Sequence, residues 1–236
     1  NIADSFRAYA FFDPKVTPVI IGLLLALIFA ASIFGGSRQI SKITGVLVPV
    51  MGIFYLTVSL FIVVTHYHAI PQMFSDIFSN AFDFQAIFGG FAGSCVMHGI
   101  KRGLFSNEAG VGSAPNAAAS AAVSHPVKQG LVQMLSVFID TILICSATAF
   151  MLLCSGVSPA PELAGMSWVQ AAASGSLGRF GTLFITVALC LFAFTTLIGN
   201  FYYAEMGLKF LCGRQLKKSL LNGFRLAAAL IVLVGS

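Results

Sequence analysis

Asn107, Glu108, Ala109, Gly110, Gly112 and Ser113 stand together in GLFSNEAGVGSAPNAAAS, residues 103–120. An amide, a carboxylate, a hydroxyl and bare backbone so close together suit the holding of a small charged ligand. Glycine weakens a helix interior, and proline (here Pro115) removes one bond of its ladder. A helix interrupted here exposes N–H groups at the start of its second half and C=O groups at the end of its first. The N–H end attracts a carboxylate. The C=O end holds a cation such as Na⁺. One broken helix therefore grips a zwitterion or an ion pair, and small side chains leave space for it. The competing reading is close helix packing along small residues. Asn107 and Glu108 beside those residues favour a binding site, with Asn107, Ala109, Gly110, Gly112 and Ser113 as substrate contacts.

Other polar groups lie further along the chain. Gln129, Gln133, Ser136 and Asp140 are spaced by four, three and four residues, which makes one polar stripe on an otherwise apolar helix. Such a stripe faces neighbouring helices, not lipid. Asp140 lies twelve residues beyond Lys128, ~18 Å along a helix and so at mid-depth. A carboxylate inside a membrane is costly unless paired or hydrated, and is a functional candidate by default. Structure or cation coupling is the leading reading for Asp140, ahead of direct substrate contact. For Glu108 two readings stand: an ion pair with Lys101 or Arg102, or a direct role at the cation. Thr195 and Thr196, side by side in FAFTTLIGN, are cation candidates too, because hard cations take several oxygens. Thr182, Thr186, Thr196, Asn200 and Tyr203 share their helix face. Threonine hydroxyls also bond their own helix carbonyl four residues back, and that reading stands beside the ion site.

Several other chemistries find little support. His66 and His68 lack a third ligand at metal spacing and read as interfacial aromatics, so no metal is expected beyond Na⁺. His125, before Pro126, reads as a helix cap. Ser94 and His98 are four apart, yet no Gly-x-Ser-Gly or His-Glu-x-x-His motif and no oxyanion hole accompanies them. An enzyme is not expected. The cysteines (Cys95, Cys145, Cys154, Cys190, Cys212) show neither metal spacing nor a paired pattern. A passive ion or small-solute channel is the alternative to a transporter, but no repeated carbonyl-ring filter is present.

The elements that must position these groups are apolar spans. Hydrophobic residues make up 58% of the chain and charged residues 9%. Soluble domains carry roughly 25% charge, so an all-α polytopic membrane bundle is expected. The basic residues are scattered, which gives nucleic acid nothing to bind. Spans are expected at 16–34, 46–64, 104–122 (broken), 128–155, 180–204 and 220–236, within one transmembrane domain over residues 1–236. The first carries no polar stripe and belongs at the periphery. Arg38, Lys42 and the segment Lys209–Lys218 go to the cytoplasm by the positive-inside rule. The 66–83 and 157–178 connections, with acids and almost no cations, go outside. Residues 84–122 are too long for one crossing of ~20 residues. An interfacial helix over 84–103 followed by the broken crossing accommodates them. The chain starts with Asn1 and stops within an apolar run; a piece of a longer transporter is expected, with the sixth span truncated.

KRGLFSNEAGVGSAPNAAASAAVSHPVKQGLVQM and FIDT in residues 101–141, with IFGGSRQISKITGVLVPVMGIFY at 33–55, resemble the alanine or glycine:cation symporter family, and the likeness covers the whole chain. SNEAG-x-GSAP is its most specific part. The resemblance implies a LeuT-like fold of 5+5 inverted repeats, with these spans as the fourth to ninth helices and the first three missing. The stretch 104–122 then corresponds to the broken sixth helix and 180–204 to the eighth. In that fold the first and sixth helices enclose substrate, and the eighth helps bind sodium. The implied activity is sodium-coupled symport of alanine or glycine across the bacterial inner (plasma) membrane. The coupling ion is Na⁺, with H⁺ the other possibility, and no cofactor is implied. Glu108, Asp140, Thr195 and Thr196 are the expected cation-binding or coupling residues.

Overall fold

The computed structural model describes residues 2–81, 91–108, 110–158, 165–212 and 218–235, apart from the side chains of 4, 37, 38, 80, 81, 91–96 and 98. Every regular element among them is helical. The helices are α1 (Ile2–Ser5), α2 (Thr17–Phe34), α3 (Gly36–Thr65), α4 (Ile70–Ala81), α5 (Phe91–Ser106), α6 (Ser113–Ala119), α7 (Pro126–Phe138), α8 (Ser146–Cys154), α9 (Met166–Leu177), α10 (Arg179–Leu211) and α11 (Lys218–Val234). A π-helical turn, Ile139–Cys145, joins α7 to α8 without interruption. Four helical stretches are long and apolar enough to cross a bilayer: Thr17–Phe34, Gln39–Thr65, Pro126–Cys154 and Arg179–Leu211. Their outward surfaces are apolar, with Val19, Leu27, Ile53, Leu60 and Met134 all largely exposed. Hydrocarbon, not water, is the medium that suits such surfaces.

Local sequence sets the helix ends. Pro18 lies in the first turn of α2, where its missing N–H costs nothing, and α2 stops at the Gly35–Gly36 pair, with Gly36 at φ 78°. Helix α3 then begins at once. The segment with Arg38 and Lys42, expected as a turn, is therefore its first turns. Within the 66–83 connection residues 70–81 are helical: α4 buries Met73, and on its exposed surface Gln72 donates to Asp76 at 2.7 Å.

The chain divides into two compact units, Asn1–Tyr55 with Ser158–Ser236, and Leu56–Val157. In the first, α2 packs along α11 and α9 along α10. Phe29, Ile33, Ile40, Ile198 and Phe201 form the core, with Phe201 edge-on to Phe29 and stacked on Phe224. Helix α2, expected at the periphery, turns one face to this core and keeps Val19 and Leu27 largely exposed. It buries Gly22, Ala26, Phe29, Ser32 and Ile33, because aliphatic and aromatic packing needs no polar stripe. Helices α9 and α10 approach so closely that a Cβ on Gly181 would lie 2.2 Å from the Ala173 carbonyl oxygen, a contact only glycine permits. Polar groups here pair in the interior. Gln170 donates to Thr186 (2.9 Å) and to the Ser5 carbonyl (2.7 Å), and Tyr9 donates to Thr186 at 3.1 Å. Glu205, 1% exposed, meets both Lys209 and Arg225.

The second unit holds the C-terminal turns of α3 and helices α4 to α8. Helix α4 packs on α8 through Met73 against Cys154 and Phe74 edge-on to Phe150. Its most irregular backbone lies between α5 and α6.

Candidate functional site

The α5–α6 break is built from local backbone choices. Helix α5 runs without interruption through Gly103 to Ser106, so the expected junction between an interfacial helix over 84–103 and a crossing from 104 is absent. Leu104 and Phe105 continue a helix readily, and the first breakers are Asn107 and the glycines beyond it. There the chain takes left-handed conformations at Glu108 (φ 50°), Gly110 (φ 82°) and Gly112 (φ 93°). Glycine adopts these at no steric cost, whereas glutamate does so at some strain, and strained residues cluster at functional sites. Helix α6 begins at Ser113, and Pro115 falls in its first turn, where proline is tolerated. The chain is thus broken by the glycines before α6, and Pro115 sits inside the second helical piece.

Every member of the stripe on α7 that bonds outside its own helix bonds to this break. Gln133 Nε2 donates to the Ala114 carbonyl of α6. Ser106 donates to Asp140 Oδ2 at 3.1 Å and lies 3.6 Å from Cys145 Sγ. Thr141 donates to Asn107 Oδ1 at 2.7 Å. Ser106, the last residue of α5, and its neighbour Asn107 are therefore latched to two consecutive residues of the π turn. Turns of this kind recur at functional positions. The sequence pattern placed Asp140 on the stripe but carried no sign of the π turn, and it missed Ser106 as the partner of Asp140 and Thr141 as the partner of Asn107. His125 caps α7 by accepting from the Val127 amide at 3.2 Å.

The residues singled out from sequence sit as follows. Asn107 is half-buried, Glu108 and Gly110 are exposed, Gly112 is half-buried and Ser113 is buried. Ala109 lies outside the described residues, as do the side chains of Ser94 and His98. The Ser113 hydroxyl is enclosed and meets no hydrogen-bond partner among the described residues, an uncommon condition for a buried polar group. Glu108 forms no ion pair with Lys101 or Arg102; all three side chains are exposed. In the other unit, Thr195 and Thr196 both donate to the Phe192 carbonyl at 2.9 Å. Their protons follow the helix-bonding reading, and their oxygen lone pairs stay available. Among the described residues no three His, Cys, Asp or Glu side chains form a metal-ligand cluster. Two charged groups escaped the sequence reading, Glu205 and Arg225. An acid at the end of a long apolar run, four residues before Lys209, was the signal for the first.

Comparison with known proteins fits this arrangement. The model of the sodium:alanine symporter family matches residues 1–236. The amino-acid carrier protein AlsT of Bacillus subtilis is 42% identical over 221 residues, covering 94% of this chain and 46% of that protein. The sodium/alanine symporter AgcS of Methanococcus maripaludis is 41% identical over 221 residues (93% and 47%). The probable sodium/glutamine symporter GlnT of Bacillus subtilis is 40% identical over 215 residues (91% and 44%). The chain spans about half the length of these relatives. With a family match over its whole length, an all-helical fold and several spans suited to a membrane, the chain belongs to the sodium:alanine symporter family of transporters.

Proposed function

We propose that this chain forms part of a secondary transporter that carries a small neutral amino acid, alanine or glycine, across the plasma membrane together with Na⁺. The observation that carries the reading is the break itself: left-handed backbone at Glu108, Gly110 and Gly112 leading into Ser113, whose buried hydroxyl has no partner among the described residues. Family membership and the names of the sodium/alanine relatives supply the substrate class and the coupling ion. The substrate carboxylate would bind the amides near Gly110–Ser113 and the NH₂ of Asn107, with Ala109 and the glycines leaving room for its small side chain. Glu108 and Asp140 would serve the cation or its coupling. Thr195 and Thr196 on α10, the eighth helix in the LeuT-like arrangement that the resemblance implies, would bind a cation in their own right. Cation binding would favour the outward-open state, and filling both sites would permit inward rocking. The chemistry asked of the protein is binding and release, with no catalytic group. Na⁺, or H⁺ in its place, is the driving ion.

The test is accumulation. The full-length protein in sealed vesicles, given an inward Na⁺ gradient, should raise internal alanine or glycine above the external concentration. Equilibration without accumulation would identify a passive channel and overturn the proposal. A collapsed gradient that leaves accumulation intact would remove Na⁺ from it.

A further inference from the structure

The Asn107 side chain is held on one side only. A carboxamide accepts through its oxygen and donates through its NH₂, so orientation decides whether it serves a cation or an anion. Thr141 commits its single proton to Asn107 Oδ1 at 2.7 Å rather than to its own helix. Among the described residues Nδ2 meets no acceptor. The neighbouring pair repeats the arrangement, with Ser106 donating to Asp140. The register between the end of α5 and the π turn is therefore set twice over, and Thr141 cannot shift relative to Asn107 without breaking the second bond as well.

We propose that Thr141 is a positioning residue that holds the Asn107 carboxamide with its oxygen occupied and its NH₂ presented to the substrate carboxylate. This rests on the reading of the break as an amino-acid site and deepens it. Asn107 thereby becomes a carboxylate contact through its NH₂. Thr141, which touches no substrate, becomes a determinant of substrate affinity. A hydroxyl at position 141 is the requirement, so serine should serve and valine, of the same shape, should not.

The experiment is uptake by the full-length transporter in vesicles, with alanine and Na⁺ varied separately. Thr141→Val should raise the KM for alanine about tenfold, the worth of one bond to a charged group. Its maximal rate should stay within about twofold and its sodium midpoint should not move. Thr141→Ser should restore the wild-type KM. Asn107→Asp keeps an oxygen for Thr141 but sets an anion against the substrate carboxylate, so its alanine KM should rise further at an unchanged sodium midpoint. A wild-type KM in Thr141→Val overturns the inference, as does an Asn107→Asp variant that binds Na⁺ more tightly while keeping its alanine KM. If Thr141→Val does not reach the membrane, Thr141→Ala against Thr141→Ser makes the same comparison. If the wild-type protein accumulates neither alanine nor glycine, the proposed function fails and this inference falls with it.

Discussion

Polar groups are treated in opposite ways in the two compact units. In the unit built on α2, α9, α10 and α11, they meet one another in the interior: Gln170 with Thr186, Glu205 with Arg225. In the unit that holds the break, they join side chains to irregular backbone: Ser106 and Asn107 to the π turn, Gln133 to Ala114. The first pattern fixes helices against one another over a tight aromatic core. The second places a glutamate in left-handed backbone beside the enclosed Ser113 hydroxyl, although Ser176 in the first unit is likewise enclosed without a partner among the described residues. Backbone strain of this kind clusters at sites that bind and release. On the proposed function the break in the second unit would take the substrate while the first unit fixes its helices, and mutation can break the comparison.

The largest expected effect is in the scaffold. Glu205→Gln leaves Arg225, 8% exposed, buried without its anion. Removing one member of a buried pair costs about 3–5 kcal/mol. The full-length variant should show a marked drop in its thermal transition or fail to accumulate in folded form. Replacing both Glu205 and Arg225 with leucine should recover most of the loss, because a well-packed apolar pair is often neutral. A Glu205→Gln variant that melts like wild type would remove the ion pair from the scaffold.

Next comes the break. A Cβ on Gly112 would meet nothing within 4 Å, but its φ of 93° is one that side chains rarely adopt. Gly112→Val should therefore fold with about 1–3 kcal/mol of added strain. It should lose alanine binding by about 10–150-fold, the range of one charge-assisted bond. Gly52→Ala is the control: it also has open space, within α3 and at helical φ. There alanine should stabilise by about 0.5–1 kcal/mol and leave binding unchanged. Equal binding by wild type and a folded Gly112→Val variant would make the break a packing device.

What could be read from sequence follows physical range. The helical class was legible because composition and hydropathy act locally. The break was legible because its glycines impose their own backbone. The latch was not: Ser106 with Asp140 and Thr141 with Asn107 join residues 34 apart, and nothing in either segment names its partner. The π turn escaped because IDTILIC reads as ordinary apolar helix. Glu205 and Arg225 escaped because each, taken alone, resembles the charge at the end of a span.

A smaller effect belongs to Asp140. If it helps set the cation site, Asp140→Asn should raise the sodium midpoint by about tenfold while maximal uptake falls less. The asparagine can still accept from Ser106, so the latch itself should survive. An unchanged sodium curve would leave Asp140 with a purely structural role.

The smallest effects test whether the scaffold unit holds any ligand at all. Thr195 is buried and Thr196 exposed, yet both hydroxyls send their protons to the Phe192 carbonyl. A hydroxyl used in this way still has lone pairs for a cation, so the intrahelical bond and the ion site are compatible. The two roles separate on substitution. Valine preserves the shape, removes the oxygen and leaves Phe192 with one hydroxyl fewer. If the oxygens bind Na⁺, Thr195→Val and Thr196→Val should each weaken it by about 0.5–1.5 kcal/mol, or roughly 2–10-fold in the sodium midpoint. Thr195→Ser and Thr196→Ser should restore it. If the hydroxyls serve only their own helix, Thr196→Val should leave the sodium midpoint and the thermal transition almost unmoved, since its bond lies at an exposed surface. Thr195→Val would then lower stability by about 1 kcal/mol without touching sodium dependence. That second outcome would confine ligand duty to the unit with the break and make the contrast between the two units complete.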